Sequence, residues 1–429
     1  MSAAIVSRRC AGSLHFAGTR QQRQFHDQIQ YQNTSLETRY MDPVELLKDL
    51  VAIPSVNPMG RDLTGPEFFE GRVSDYLEAF FRDLGVKWQR IEVVPGRANV
   101  IARFDVPGAK RTVMLDAHED TVPTDGFADP FNPVIRDGKL FGRGSCDVKG
   151  GMAAMLTAFA RLVREKPANA SNVIMSCTCD EESTSLGVND LTQLWTDPKR
   201  AGSIIDRQPD IAIIAEPTQL DVVVAHRGAT RWKIRTAGRA CHSSSPQDGI
   251  NAVYRMGRVL TAIEEFAELL PQRVAPHPLC GSATISVGRI TGGISVNTVP
   301  DSCEIEIDRR VIPGEDGWDS IKQVREHLDS RLGFAVEHLP PWLVGVSLSD
   351  EHNGPLGDEL LDRITEVAGP HRKVGVPYGT HASRIASAGV PSVVFGPGDI
   401  AQAHTVNEWI DINQLRQAAE IYYRFCVAG

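Results

Sequence analysis

Short apolar runs that finish in charged residues recur along this chain, and they alternate with stretches of helical period. The runs include "NVIARFDV", "RTVMLDAH", "NVIMSCTCD" and "DIAIIAEP", all of strand length, and between the second and third lies "KGGMAAMLTAFARLVRE", with the composition and period of a helix. Strands alternating with helices predict an α/β fold around a central, mostly parallel sheet. In such sheets ligands gather beyond the strand ends. Upstream, residues 65 to 84 place Phe68, Phe69, Val73, Tyr76, Leu77, Phe80, Phe81 and Leu84 at helical spacing. Before that, "DPVELLKDLVAIPSVNP" begins as a helix does, with Asp42 as N-cap and Pro43 at the first helical position.

A different pattern occupies residues 222 to 336. "VVVAHRGATRWKIRTAG", a helix from about Gly249 to Phe266, "SATISVGRI", "CEIEIDRRV" and the helix through "GWDSIKQVREHLDSRLG" read as a small α+β layer. After it, "PLGDELLDRITEVAG", "PSVVFGPG" and "NQLRQAAEIYYRFC" resume the first style. The expected organisation is a catalytic domain in two parts, 41–221 and 337–429, interrupted by an inserted domain at 222–336.

Composition removes several classes of function. At 429 residues the chain exceeds one ordinary core. A net charge of −9, with no basic block, makes a nucleic-acid partner unexpected. No apolar run approaches the roughly 18 residues that would suggest a membrane span. The eight cysteines lack the spacing of a secreted disulfide scaffold, which points to reduced thiols in the cytosol. Residues 1–40 carry five arginines against Asp27 and Glu37 and show no period. We read them as a disordered extension, although the same composition leaves an organelle transit peptide open.

The polar residues at the ends of apolar runs carry the chemistry. His118 and Asp120 follow "VMLDA", Asp147 sits in "GRGSCDVKGG", Glu181 and Glu182 follow "MSCTCD", Glu216 follows "IAIIA", and His404 lies in "FGPGDIAQAHTVNE". Singly, each has an ordinary explanation as a turn residue or strand stop. Together, five carboxylates in one partly buried place could not all stay ionised without cations among them. Histidine nitrogen and carboxylate oxygen without thiolate is the ligand set of catalytic zinc. Two Zn²⁺ would be balanced by Asp147, Glu182, Glu216 and one hydroxide. Side chains at i and i+2 of extended backbone share a side, so Asp120 is expected to bond the far nitrogen of His118 while Glu119 points away. Adjacent Glu181 and Glu182 face differently, so one can bind metal while the other serves as a base. The glycines form no phosphate loop, and no GxSxG or SxxK nucleophile is evident.

"HEDTVP", "GRGSCDVKGGMAAML", "DEES", "EPT", "ACHSSSPQDGINAV", "NTVPDSCEIEIDRR" and "FGPGDIAQAHTVNEW" together resemble the di-zinc metallopeptidase family that contains acetylornithine deacetylase, succinyl-diaminopimelate desuccinylase, aminoacylase and carboxypeptidase G. The resemblance runs in order from about Met41 to the C-terminus. It implies a zinc-peptidase-like catalytic domain with an inserted ferredoxin-like lid that pairs two subunits into a homodimer. It implies two Zn²⁺, or Co²⁺ in their place, one held by His118, Asp147 and Glu216, the other by Asp147, Glu182 and His404. By the same resemblance Asp120 orients His118, Glu181 is the general base, and His242 reaches the partner subunit's site to stabilise an oxyanion. Arg310, Arg309 and Asn297 match positions that hold the substrate's carboxylate. His381, in "PYGTHASR", stands where many relatives carry aspartate, and is placed near the substrate. The implied reaction is hydrolysis of an N-acyl amino acid. "CDVKGG" and "FGPGDIAQAH" point to N-acetyl-L-ornithine, with N-succinyl-diaminopimelate second. A catalytically silent metal-binding or dimerising module is the alternative of a different class.

Overall fold

The computed structural model describes residues 41–428 apart from residue 201. The reading of residues 1–40 as an extension lies outside the described residues. In chain order the helices used below are α1 Pro43–Ala52, α2 Gly71–Asp83, α3 Lys149–Glu165, α4 Leu186–Thr196, α5 Ala252–Arg273, α6 Gly317–Arg331, α7 Gly354–Ala368, α8 Ala382–Ser387 and α9 Ile412–Val427. The strands begin with β1 Lys87–Val94, β2 Arg97–Phe104, β3 Thr112–His118, β4 Val134–Arg136, β5 Lys139–Phe141, β6 Asn172–Thr178, β7 Ile211–Ile214 and β8 Val222–His226. They continue with β9 Gly228–Ala237, β10 Thr284–Gly292, β11 Ser302–Val311, β12 Glu337–His338, β13 Lys373–Val376, β14 Ser392–Val394 and β15 Trp409–Asp411.

Eight strands form the main sheet in the order β1-β2-β6-β3-β7-β14-β8-β13. Its centre is parallel: β3 lies between β6 and β7 and runs with both. Every residue of β3 and β6 is buried, which is why these strands read as unbroken apolar runs rather than as an alternation. Helices α1, α2, α3, α7 and α9 pack Leu46, Leu50, Leu77, Phe81, Met152, Phe159, Leu360, Tyr422 and Phe425 into one core against this sheet. A second core, with Val188, Leu191, Ile205 and Ile385, covers the opposite face. The mostly parallel α/β reading therefore holds. The antiparallel pairings, β1-β2-β6 at one edge and β14 with β8 further across, are the part that periodicity did not distinguish.

The smaller layer has its own sheet, β10-β11-β9-β12, wholly antiparallel. Its strand-helix-strand-strand-helix-strand sequence and this neighbour order are those of a ferredoxin-like unit. Trp232, Ile234, Met256, Phe266, Ile305, Ile307, Val324 and Leu328 fill a separate core between this sheet, α5 and α6. By sheet membership the layer runs from Gly228 through His338, because β8 pairs with β13 and β14 in the main sheet, and β12 pairs with β9. The expected limits of 222 and 336 shift accordingly.

One helix is shorter than its periodicity suggests. Residues 65–70 precede α2 as a turn, with Phe69 at a positive φ of 62°. Phe68 is drawn out of the helix by a bridge to Val56. Among the described residues no helix is long and apolar enough to cross a membrane.

Candidate active site

The sheet dictates where the site must be. In the parallel centre His118 at the end of β3 is paired with Thr178 at the end of β6. Asp116 of β3 is level with Ile214, the last residue of β7. The residues just beyond these ends, Glu181 and Glu182 after β6 and Glu216 after β7, therefore leave the sheet beside His118 at one edge. Asp147 arrives from the turn before α3. Gly150 and Gly151 let that helix start against the sheet: a Cβ at Gly150 would stand 2.4 Å from the Ser145 carbonyl oxygen, and one at Gly151 2.8 Å from Ala215 Cβ. His404 comes from the loop after β14 at a φ of 61°.

These groups meet. His118 Nε2 is 3.2 Å from Asp147 Oδ1, while His404 Nε2 is 3.4 Å from Asp147 Oδ2 and 3.2 Å from Glu182 Oε2. Each oxygen of Asp147 thus faces a different histidine. Potential ligand atoms of His118, Asp147 and Glu182 lie within 4.8 Å of one another. Asp147, Glu181, Glu182, Glu216 and His404 line one cleft of about 400 Å³, a volume suited to a small molecule.

Asp120 departs from its expected contact. His118 Nδ1 lies 2.9 Å from the backbone carbonyl oxygen of Asp120, whereas the Asp120 carboxylate is 3.7 Å away. The carbonyl, being only an acceptor, assigns a proton to Nδ1, so Nε2, which faces Asp147, is the nitrogen a metal would take once its own proton leaves. The carboxylate of Asp120 accepts instead from the backbone N–H groups of Glu181 at 3.0 Å and Glu182 at 3.2 Å. It orients the two glutamates by their backbone. Glu119 does point away, buried, with Ser74 Oγ donating to it at 2.7 Å, and burial raises its pKa well above the carboxylate range.

Sequence reading missed the network beneath. Asn57 donates to Asp120 at 2.8 Å and to Asp180 at 3.0 Å. Arg97 bridges Asp180 and Glu70, at 2.5 Å and 3.0 Å. The Asp147 turn has its own support: buried Glu408 accepts from the N–H groups of Gly144 at 3.0 Å, Cys146 at 2.8 Å and Asp147 at 3.0 Å, and from Arg143 at 2.7 Å. Lys149 is fully buried and donates to the carbonyls of Leu50 and Ile53 at the end of α1, at 3.0 Å and 2.7 Å. Burial pushes its ammonium down to about 7. Glu408 stands four residues past His404, in the quoted "HTVNEW". Its acidity at a strand start was a signal that could have been used.

Other expected residues lie elsewhere. Arg310 lines the cleft, its Nε donating to Asp308 at 2.6 Å. Arg309, its neighbour on β11, faces the opposite way: it is 0% exposed and paired with Glu315 at 2.5 Å. Alternation along the strand puts only one of two adjacent arginines on the cleft side. Asn297 and His242 are exposed and do not line the cleft of their own chain. Asn297 accepts from Ser295 Oγ at 2.5 Å, and His242 Nδ1 is 2.7 Å from Ser244 Oγ. His381 is buried behind His118, with ring centroids 6.5 Å apart, and does not line the cleft. Its Nδ1 is 3.0 Å from Asp116 Oδ2 and 3.2 Å from Thr178 Oγ1. His381 is thus tied to the sheet through Nδ1.

The electrostatics fit a site for cations. Burial, then the charge of Asp147, pushes Glu182 up to about 8, and burial with Asp147 and Glu181 pushes Glu216 well above the carboxylate range. Glu181 is raised by burial, against the pull of His118 and His381. Hydrogen bonds to Asp147 and Glu182 lift His404 to about 10. Burial opposes charge on His118, yet its bond to Asp147 and the nearby Glu181 and Asp120 carry it well above its ordinary value. Asp147 resists ionisation by its burial, but the two histidines hold it below the usual range. Protons here do the work that divalent cations would do, and the donor set suits zinc.

A pH dependence follows. Glu182, at about 8 when folded against 4.5 ordinarily, binds more proton in the folded state between those values. His404 does so between 6.5 and about 10. Both terms make the metal-free protein lose stability as pH rises through these windows. Ligand binding requires the same protons to leave, so zinc affinity rises with pH. Thermal unfolding of chelator-treated protein from pH 5 to 9 is expected to show a falling midpoint, and added zinc a gain that widens with pH. A gain independent of pH would contradict the assignment of these protons.

Comparison with known proteins agrees with the fold. The model of peptidase family M20/M25/M40 matches residues 114–428. Acetylornithine deacetylase of Pectobacterium carotovorum is 30% identical over 409 residues, spanning 89% of this chain and 97% of that one. The acetylornithine deacetylase of Vibrio campbellii is 29% identical over 398 residues, spanning 90% and 97%. Among solved structures, an M20 metallo-carboxypeptidase of Sulfolobus solfataricus superposes with a TM-score of 0.71 at 19% identity, covering 90% of this chain and 98% of that one. A tripeptidase of Staphylococcus aureus gives 0.69 at 21%, covering 91% and 98%. A Bacillus subtilis protein described as a dinuclear metal-binding M20 peptidase gives 0.63 at 15%, covering 91% and 97%. An α/β fold with histidine and carboxylates gathered at its sheet edge defines a metallohydrolase class. Within that class, the chain belongs to peptidase family M20/M25/M40.

Proposed function

We propose that this protein is a metal-dependent amidohydrolase that removes the acyl group from an N-acyl amino acid, with N-acetyl-L-ornithine, giving L-ornithine and acetate, as the principal substrate. The observation that carries the reading is the meeting of His118, Asp147, Glu182 and His404 around one point of a cleft that also holds Glu181 and Glu216. The relatives named acetylornithine deacetylase support the substrate. His118, Asp147 and Glu216 would hold one divalent ion, and Asp147, Glu182 and His404 the other, zinc or cobalt in each. Ions held there would lower the pKa of a bound water and polarise the amide carbonyl. Glu181 takes the proton from the attacking water and returns it to the departing amine nitrogen. Asp120 fixes the Glu181 and Glu182 backbone and Glu408 the Asp147 turn, so the acceptors are in place before substrate arrives. The amide C–N bond breaks, and the acid and the free amine are released.

A homodimer completes the proposal. Strand β10 is the outer strand of the smaller sheet, and Ile290, Ile294, Val296 and Tyr254 are exposed on and beside it, Ile294 at 93% and Val296 at 99%. Exposed apolar side chains along an open strand edge suit pairing with a second copy. His242, off the cleft of its own chain, would then serve the other subunit's.

A second reading, N-succinyl-diaminopimelate, is favoured by one observation: Arg231, Arg310 and Arg384 all line the cleft, which suits an additional carboxylate on the substrate. Steady-state turnover of acetylornithine, succinyl-diaminopimelate, other N-acyl amino acids and dipeptides, with zinc or cobalt restored after chelation, tests the proposal. We expect the highest kcat/KM for acetylornithine and no turnover in chelator. Metal bound without turnover across the panel would leave a silent metal-binding module. Dipeptides hydrolysed fastest would overturn the substrate.

A further inference from the structure

The segment "PYGTHAS", which joins β13 to α8, runs along the cleft, and its three cleft-lining hydroxyls differ in what they meet. Thr380 Oγ1 lies 3.1 Å from His226 Nε2 and accepts from the backbone N–H of Ala382 at 3.1 Å. Ser383 Oγ donates to the Thr380 carbonyl at 3.2 Å. Both are engaged within the chain. Tyr378 lines the same cleft, half-buried, and its hydroxyl has no hydrogen-bond partner among the described residues. A phenol ordinarily ionises at about 10, and burial, followed by the charges of Glu216 and Asp147, raises this one further. The group is therefore a neutral donor with those two carboxylates for neighbours and bonded to neither. A donor so placed, half out of water and with no acceptor in its own chain, calls for an acceptor brought by a ligand.

We infer that Tyr378 is a catalytic residue whose hydroxyl donates a hydrogen bond to the carbonyl oxygen of the scissile amide as that oxygen gains negative charge. The inference rests on the amidohydrolase reading and deepens it. When the water oxygen bonds to the carbonyl carbon, the π pair of the C=O bond moves onto oxygen, and it returns when the C–N bond breaks. Tyr378 keeps its proton throughout. It stabilises the oxygen only while the charge is there, as a donor aimed in advance into a site of low dielectric does. Glu216 and Asp147 mark the end of the cleft where the carbonyl is to be polarised, and Tyr378 is a neutral donor beside them. A tyrosine is also inexpensive to hold in place, because its ring turns about few bonds. His242 does not line the cleft of its own chain, so its contribution waits on a second subunit. That of Tyr378 does not.

The test is Tyr378→Phe, which removes the hydroxyl and keeps the ring. In zinc-loaded enzyme, kcat for N-acetyl-L-ornithine is expected to fall about 10²- to 10³-fold, as on loss of one oxyanion donor, with KM changed only a few-fold. Zinc content and the thermal midpoint should stay as in the unsubstituted protein, because the hydroxyl holds nothing within the chain. Titration calorimetry adds a readout free of turnover. The phosphinic analogue of N-acetyl-L-ornithine, with phosphinate for the acetyl carbonyl and methylene for the amide nitrogen, carries the charged tetrahedral oxygen permanently. Tyr378→Phe should bind it about 10²- to 10³-fold more weakly, while N-acetyl-L-ornithine, measured in a Glu181→Gln background, binds as before. A rise in KM with kcat unchanged would make Tyr378 an ordinary substrate contact and overturn the assignment. Equal affinity of both proteins for the analogue, or none in either, would overturn it too. Failure of the amidohydrolase reading looks different: the unsubstituted enzyme then turns over no N-acyl amino acid, and analogue affinity still decides on Tyr378.

Discussion

Glu181→Gln is expected to lower kcat by about 10²- to 10⁴-fold, the span over which a positioned general base contributes, and to leave zinc content unchanged. Glutamine reproduces the size of glutamate and keeps the backbone N–H that donates to Asp120 at 3.0 Å. What it removes is the ability to take up a proton and give it back. Glu181 suits that role because no hydrogen bond to its carboxylate is formed among the described residues, whereas Asp120 is engaged by Asn57 and two backbone N–H groups. Burial raises its pKa, and the neighbouring His118 and His381 limit the rise. A carboxylate so balanced is a better proton acceptor than a surface glutamate. The measurement pairs steady-state rates with metal analysis on the same sample. A variant that keeps its rate removes Glu181 from the reaction. One that loses its metal shows instead that Glu181 is a ligand.

Glu181 and Glu182 both line the cleft, because they lie in the turn after β6 rather than in extended backbone, so strand alternation does not separate the proposed base from the proposed ligand. Position at the end of a buried strand of the parallel sheet brought out His118 and Glu216, whereas Asp147 comes from the turn before α3 and His404 from a loop after β14. Strand alternation does explain what failed at the arginines. Arg309 and Arg310 are adjacent, yet β11 sends one to the cleft and the other to Glu315. Contacts between distant segments carry no local period, so the Arg97–Glu70–Asp180 bridge, with its partners 27 and 83 residues from Arg97, left no trace in spacing. His118 Nδ1 meets an acceptor. That the acceptor is the carbonyl of Asp120 rather than its carboxylate depends on how the backbone turns after β3, which side-chain spacing does not encode.

Asp147→Asn is expected to weaken zinc binding by at least about 100-fold, beyond the 10- to 100-fold that follows loss of a residue supporting a ligand, and to abolish measurable turnover. The reason lies in the two oxygens. One faces His118 Nε2 at 3.2 Å and the other His404 Nε2 at 3.4 Å, so the carboxylate stands between the two proposed ligand groups. Asparagine retains one oxygen and replaces the other with a donor, which turns a hydrogen-bearing nitrogen toward a cation. Its backbone N–H still donates to Glu408, so the turn before α3 has the same support as before. The loss should therefore appear in metal affinity rather than as general unfolding. The metal-free variant offers an independent check. After burial, the charge of Asp147 is the largest cause raising both Glu182 and Glu216, so its removal should move both carboxyls back toward their ordinary range. The decline of stability with pH predicted for the metal-free protein would then weaken in Asp147→Asn. Tight binding of two zinc ions by this variant, measured by competition with a chromophoric chelator, would show that Asp147 does not bridge them.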